Sequence, residues 1–209
     1  MTVPEDLLIH VIDDDAAFRR SLVFLLESMG WTVASHASAE DFLAATPEPG
    51  ATACLVLDIR MPMMSGLELQ QQLRQRGWQA PIVFITGHGD VELAVQAMKN
   101  GACDFLEKPF KDQALIDAVG RAVKLGCEAR EQMARAEEAK SLLERLSPRE
   151  MEVARLVALG LPNKLVGREL DISEKTVHVH RHHVMEKTGV GSAAELARLM
   201  LRANPAALD

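Results

Sequence analysis

Four short apolar runs in the first 110 residues each end at a polar side chain. LIHVI runs into Asp13 and Asp14, CLVL into Asp58, PIVFI into Thr86, and DFLE into Lys108 followed by Pro109. Short runs of this kind, bounded by turn residues, read as buried strands, so strands are expected at 7–12, 53–57, 81–85 and 104–107, with a shorter one over Trp31 to Ala34. Between the strands the apolar positions recur at helical spacing. Helices are expected at 16–29, stopped by Gly30, and at Ala39 to Ala45 with Ser38 as cap. Three more are expected at Gly66 to Arg76, stopped by Gly77, at Val91 to Asn100, stopped by Gly101, and at Asp112 to Leu125. Strands and helices in alternation predict an α/β, doubly wound, five-stranded parallel sheet.

After residue 125 the pattern changes. GCEAREQMARAEEAKSLLER, 126–145, is rich in Ala, Glu and Arg and contains no proline, so it reads as a continuous helical linker with a thin apolar stripe. From Ser147 onward only helices are expected: Pro148 to Ala158 behind a Ser147–Glu150 capping box, Asn163 to Glu169, a third that starts after Ser173 and runs to Lys187, stopped by Gly189, and Ala193 to Leu201 capped by Ser192. A short helix, the tight turn LDIS and a longer helix make a helix-turn-helix. The expected division is therefore 1–125, a linker at 126–145, and a small all-α four-helix domain at 146–209.

Composition changes this picture little. The 209 residues are 48% hydrophobic and 25% charged, with no run long enough to span a bilayer and an acidic start unlike a signal peptide, which points to a cytoplasmic protein without membrane contact. Cys54, Cys103 and Cys127 are scattered, with no C-x-x-C pair. The net charge of −7 falls within residues 1–125, and residues 146–202 hold 9 bases against 7 acids, so any nucleic-acid binding depends on where the bases sit.

The chemistry lies at the strand ends. In a parallel sheet they converge on one crevice, which here would gather three carboxylates, a hydroxyl and an ammonium. Such a set suits a hard cation, Mg2+, and the formation of an acyl phosphate. Each residue alone has an ordinary reading, as helix cap, turn, solvent-facing charge or core. The ordered set IDD, LVLDIRMPMMSGLEL, VFITGHGD and FLEKPF is specific, and it resembles the receiver domain of bacterial two-component response regulators, a flavodoxin-like fold. The resemblance implies that Asp58 accepts a phosphoryl group from a sensor histidine kinase. It implies that Asp13, Asp14, Asp58 and the backbone carbonyl of Arg60 hold Mg2+, with Asp14 the more direct ligand of the acidic pair. It also implies that Thr86, Phe105 and Lys108 read the phosphoryl group, with a cis bond before Pro109. Asp13, Asp14 and Asp15 stand in a row, and spacing to Asp58 favours the first two as the pair.

In the same way LSPRE-x-EV, G-x-x-NK and IS-x-KTV-x-VH resemble the LuxR-type four-helix reader, so that the chain, apart from its linker and tail, resembles the FixJ and NarL group. On the third helix of the reader, Lys175, His178, Val179 and His182 share one face. His178, Val179 and His182 are expected to meet base edges, and Asn163, Lys164, Lys175, Thr176, Arg181 and Lys187 to meet phosphates. His180 is expected to point back into the domain. Leu161-Pro162 and Gly167 depart from the usual pattern and are expected to loosen the second helix. The implied function is a non-enzymatic transcriptional regulator, an activator by family habit, that dimerises when phosphorylated and binds double-stranded promoter DNA, with RNA polymerase a further candidate partner. Two rivals are a phosphorylation-independent regulator with a vestigial pocket and a metal-dependent phosphohydrolase. The second usually has an acid two residues after its nucleophile, where this chain has Arg60.

Overall fold

The computed structural model describes residues 8–45, 51–78, 80–87 and 91–208. Position 7 of the first expected strand and residues 88–90 of the motif after Thr86 lie outside them. The chain divides into two compact units, Met1–Arg130 and Glu131–Asp209.

In the first unit five strands, β1 (Leu8–Ile12), β2 (Thr32–His36), β3 (Thr52–Asp58), β4 (Ile82–Thr86) and β5 (Asp104–Glu107), form a sheet in the order β2-β1-β3-β4-β5. Every neighbouring pair is parallel. Helices α1 (Ala16–Ser28), α2 (Ala39–Ala44), α3 (Gly66–Gln75), α4 (Val91–Lys99) and α5 (Asp112–Leu143) connect and follow the strands. β3 is buried at all of its positions, as a central strand covered on both faces must be, which is why it reads as one apolar run. Its alternate side chains feed two cores: Cys54 and Val56 join Leu22, Leu26, Leu115 and Val119 on one face, and Leu55 and Leu57 join Phe42, Leu69 and Phe84 on the other. β2 sits two residues further on than its end at Ala34 predicted, because TVASH is a half-exposed edge strand whose mixed pattern marks its limits poorly.

α5 is one helix of 32 residues, running through Leu125, where the expected helix ended, into the segment expected as a helical linker. Nothing in residues 124–130 disfavours the helix except Gly126, whose Cβ position would collide with the Ala53 carbonyl oxygen at 2.1 Å, so the glycine serves close packing rather than termination.

In the second unit α6 (Pro148–Ala158), α7 (Asn163–Glu169), α8 (Glu174–Thr188) and α9 (Ala193–Ala203) surround a core of Val153, Val157, Val166, Val177, Val184 and Leu196. Ala139 and Leu143, from the end of α5, belong to this same core. The Ser147–Glu150 capping box forms as expected. α7 begins after Pro162 with no side-chain cap. Gly167 behaves differently from the expectation: it is buried, and a Cβ there would stand 2.7 Å from the Ile172 carbonyl oxygen, so it admits the turn before α8 rather than loosening α7.

Candidate functional site

Asp58 ends β3, Thr86 ends β4, and Asp13 follows β1, so parallel strands bring three polar positions to one edge of the sheet. Lys108 follows β5, and its backbone N–H donates to the Thr86 carbonyl at 2.7 Å. Its ammonium donates to Asp13 Oδ2 at 2.8 Å and to Asp58 Oδ1 at 2.9 Å. Phe18 of α1 lies beneath that ammonium, which stands 4.0 Å from the ring centroid. The Lys108–Pro109 bond is cis. Asp58 Oδ2 accepts from the Arg60 N–H at 2.9 Å, so each oxygen of Asp58 has a donor.

The three charges differ in exposure. Asp13 and Asp58 are buried, and Lys108 is mostly covered. Burial pushes the Asp58 carboxyl above its usual range, against the hydrogen bond and charge of Lys108, and the nearby Asp13 charge adds to the rise. Burial pulls Lys108 down, but the hydrogen bonds and charges of Asp13 and Asp58 outweigh it, and the net shift is upward. Both partners of one ion pair therefore shift up. The reason is stoichiometric: one ammonium faces two carboxylates, so it is held charged while Asp58 remains incompletely compensated.

Asp14 is exposed and outside this triad. Asp14 stands at a bend between β1 and α1, next in the chain to the buried Asp13. Asp15 is committed elsewhere: its carboxylate caps α1, accepting from Ala17 and Phe18 N–H. Thr86 is buried at the end of β4, and Phe105 is half-buried against the core that holds Phe84. Among the described residues no group of three or more His, Cys, Asp or Glu side chains stands close enough to hold a metal ion. Mg2+ does not require one, since it keeps several waters and commonly takes one or two carboxylates, and the donors here are all hard oxygens with negative charge to spare. The residues fit that ion.

Two contributors escaped the sequence reading. Arg19 Nη1 donates to the Asp13 carbonyl at 2.5 Å, and Gly66 admits α3 so close to β3 that a Cβ would stand 2.3 Å from the Asp58 carbonyl oxygen. The Gly66 signal was present, as a glycine at the start of a predicted helix eight residues after Asp58. A groove of about 740 Å3, lined in part by Phe18, Ser21, Lys108, Pro109 and Phe110, adjoins the lysine.

In the second unit Lys164, Lys175, Thr176, His178, Val179 and His182 are exposed. Asn163 and Arg181 are half-buried and joined, Arg181 Nη1 donating to Asn163 Oδ1 at 3.3 Å. Lys187 is turned to Glu150, its Nζ donating to Oε2 at 2.6 Å, so this expected phosphate contact ties α8 to α6 here. His183 Nδ1 lies 3.7 Å from Glu150 Oε1. His180 is half-buried, with a buried Nδ1 that has no hydrogen-bond partner among the described residues, consistent with an inward-facing position.

Comparison with known families decides what these two sites belong to. The response regulator receiver domain family matches residues 9–120, and the luxR family of bacterial regulatory proteins matches residues 144–200. The chain belongs to the response regulators. Specifically, it is a FixJ-like two-component response regulator with a receiver domain and a LuxR-type DNA-binding domain. It is 48% identical over 211 residues to the transcriptional regulatory protein FixJ of Azorhizobium caulinodans, covering 99% of this chain and 98% of that one. It is 47% identical to nodulation protein W of Bradyrhizobium diazoefficiens, over 92% of this chain and 84% of the relative. Against the response regulator TodT of Pseudomonas putida the identity is 45%, over 93% and 86%. Among solved structures it resembles the response regulator StyR, with a TM-score of 0.81, 44% identity, and 92% and 96% of the two chains covered. Full-length FixJ from B. japonicum gives a TM-score of 0.57 at 44% identity, over 97% and 99%. No helix among the described residues is long and apolar enough to cross a membrane.

Proposed function

We propose that Asp58 is the phosphoryl acceptor of this response regulator and that its phosphorylation controls DNA binding by the LuxR-type reader. The observation that carries this is the triad itself: a buried carboxylate at a strand end, held by a lysine that also serves a second buried carboxylate. One Asp58 oxygen attacks the phosphorus of a phosphohistidine on the sensor kinase. The P–N bond breaks, its electron pair returns to the histidine ring, and an aspartyl phosphate forms. Lys108 steadies the charge that builds on the phosphoryl oxygens, and Phe18 and Arg19 keep Lys108 and Asp13 in place. Asp13, Asp14, Asp58 and the Arg60 carbonyl would hold Mg2+, which when bound supplies further neutralisation of that charge. The groove beside Lys108 gives a macromolecular donor access to the site.

The new dianionic group draws in the Thr86 hydroxyl, and Phe105 moves with it. A homodimer then forms, for which the α4–β5–α5 region, about 91–123, is the proposed surface, and two readers meet double-stranded promoter DNA. His178, Val179 and His182 face bases. Asn163, Lys164, Lys175, Thr176 and Arg181 face phosphates, and Lys187 joins them when it leaves Glu150. The proposed division is a receiver at 1–125, a helical linker at 126–145 and the reader at 146–209. The protein acts in the cytoplasm, as an activator, with RNA polymerase as a further partner and without enzymatic turnover.

Treatment with acetyl phosphate and Mg2+ tests this reading. A mass gain of one phosphoryl group and tighter binding to duplexes selected from a random pool are expected, with both effects lost in Asp58→Ala. An unphosphorylated wild type, or equal binding by the variant, overturns it. Turnover of small phosphomonoesters would favour the phosphohydrolase instead.

A further inference from the structure

Four of the seven histidines in the chain fall within six residues of α8. The reader's own packing accounts for two of them, since His180 is half-buried and His183 lies beside Glu150. His178 and His182 remain, both exposed and without a hydrogen bond or ion pair among the described residues, the His182 ring standing 6.2 Å from that of His183. They are four residues apart within a regular helix running Glu174–Thr188. That spacing stacks two side chains on one face, about 5–6 Å apart at Cβ. It is the spacing at which two histidines on a helix grip one zinc ion.

We propose that His178 and His182 form a two-histidine seat for a borderline first-row divalent ion, of which Zn2+ is the prime case, and that this ion and DNA compete for the same two imidazoles. Imidazole nitrogen suits Zn2+, Ni2+ and Cu2+ far better than the all-oxygen pocket around Asp58, which suits Mg2+. The two sites are therefore chemically orthogonal. Water fills the positions that two protein ligands leave open. A nitrogen that binds the ion has no lone pair left for a base edge, and the ion with its waters fixes both rings and occupies the face that would meet the bases, so the ion and DNA compete for it. The competition rests on the DNA-binding reading above; the seat does not.

The experiment titrates full-length protein with ZnCl2 by calorimetry in excess Mg2+, which keeps the acidic pocket occupied. Wild type is expected to bind Zn2+, with at least tenfold weaker binding in His178→Ala and in His182→Ala and less than twofold change in His183→Ala. Equal binding by all four proteins overturns the seat. So does a loss in His183→Ala as large as in the other two, which would place the ion at the His183–Glu150 pair. A second titration adds ZnCl2 to wild type bound to a duplex selected from a random pool. DNA affinity is expected to fall at least tenfold in wild type and to stay unchanged by zinc in His178→Ala. Zinc binding without any loss of DNA affinity overturns the competition. If no duplex is selected while the zinc result holds, the DNA-binding reading fails and the seat stands.

Discussion

Glu150 shows how much one side chain can organise. It closes the capping box of α6, accepts from Lys187 of α8 and lies beside His183. The Lys187 hydrogen bond leads the causes that hold its carboxyl at about 2, below the ordinary 4.5. Because the folded value lies below the unfolded one, the stabilisation is present above pH 4.5 and is lost as pH falls from 4.5 towards 2. Glu150→Gln should therefore lower the stability of the reader in urea unfolding at pH 7 by about 1 kcal/mol, allowing for solvent screening at the exposed Lys187, with little difference from wild type near pH 2.5. Asp58 carries the opposite sign. Its carboxyl is raised by burial, so its ionisation costs stability that builds as pH rises above the unfolded value and is complete above the folded one. Asp58→Asn should raise the stability of the receiver in urea unfolding at pH 7 by about 1 kcal/mol, and the gain should shrink as pH falls through the carboxylate range. A lower midpoint at pH 7 would mean that Lys108 fully compensates both acids.

At the scale of elements, the approach of α3 to β3 decides where Asp58 stands. Gly66→Ala places a carbon against the Asp58 carbonyl, and thermal unfolding should show a loss of about 1–3 kcal/mol in the receiver together with slower phosphorylation. The central strands were legible because a strand buried on both faces is apolar at nearly every position, and the caps at Ser38, Ser147 and Ser192 were legible because a hydroxyl before a helix satisfies its free N–H groups. β2 was less so, because edge exposure mixes its pattern. In α5 the close contact of Gly126 with Ala53 was hidden, because it joins residues far apart in the chain. In the pocket, Asp13, Asp58, Thr86 and Lys108 were readable as strand ends. The pairing of Lys187 with Glu150 was not, since it joins residues 37 apart in the chain on two different helices.

Across the whole molecule, the second core is completed from outside the region that matches the luxR family. Ala139 and Leu143 pack among its valines, whereas the match begins at residue 144. A fragment of residues 131–209 should therefore be more stable than one of 146–209, by about 2–4 kcal/mol in urea unfolding, because the shorter one leaves the space of a buried leucine unfilled. Equal stability would show that the core closes without α5.

That shared helix also has a neutral stretch. Residues 130–135 are all exposed, and none of them joins any of the three cores. Natural recombination or deliberate grafting between sensors and outputs has its least damaging crossover there, since a seam in those residues hands each interior over intact, while one placed at the family border would send a gene product out with part of its hydrophobic filling left behind.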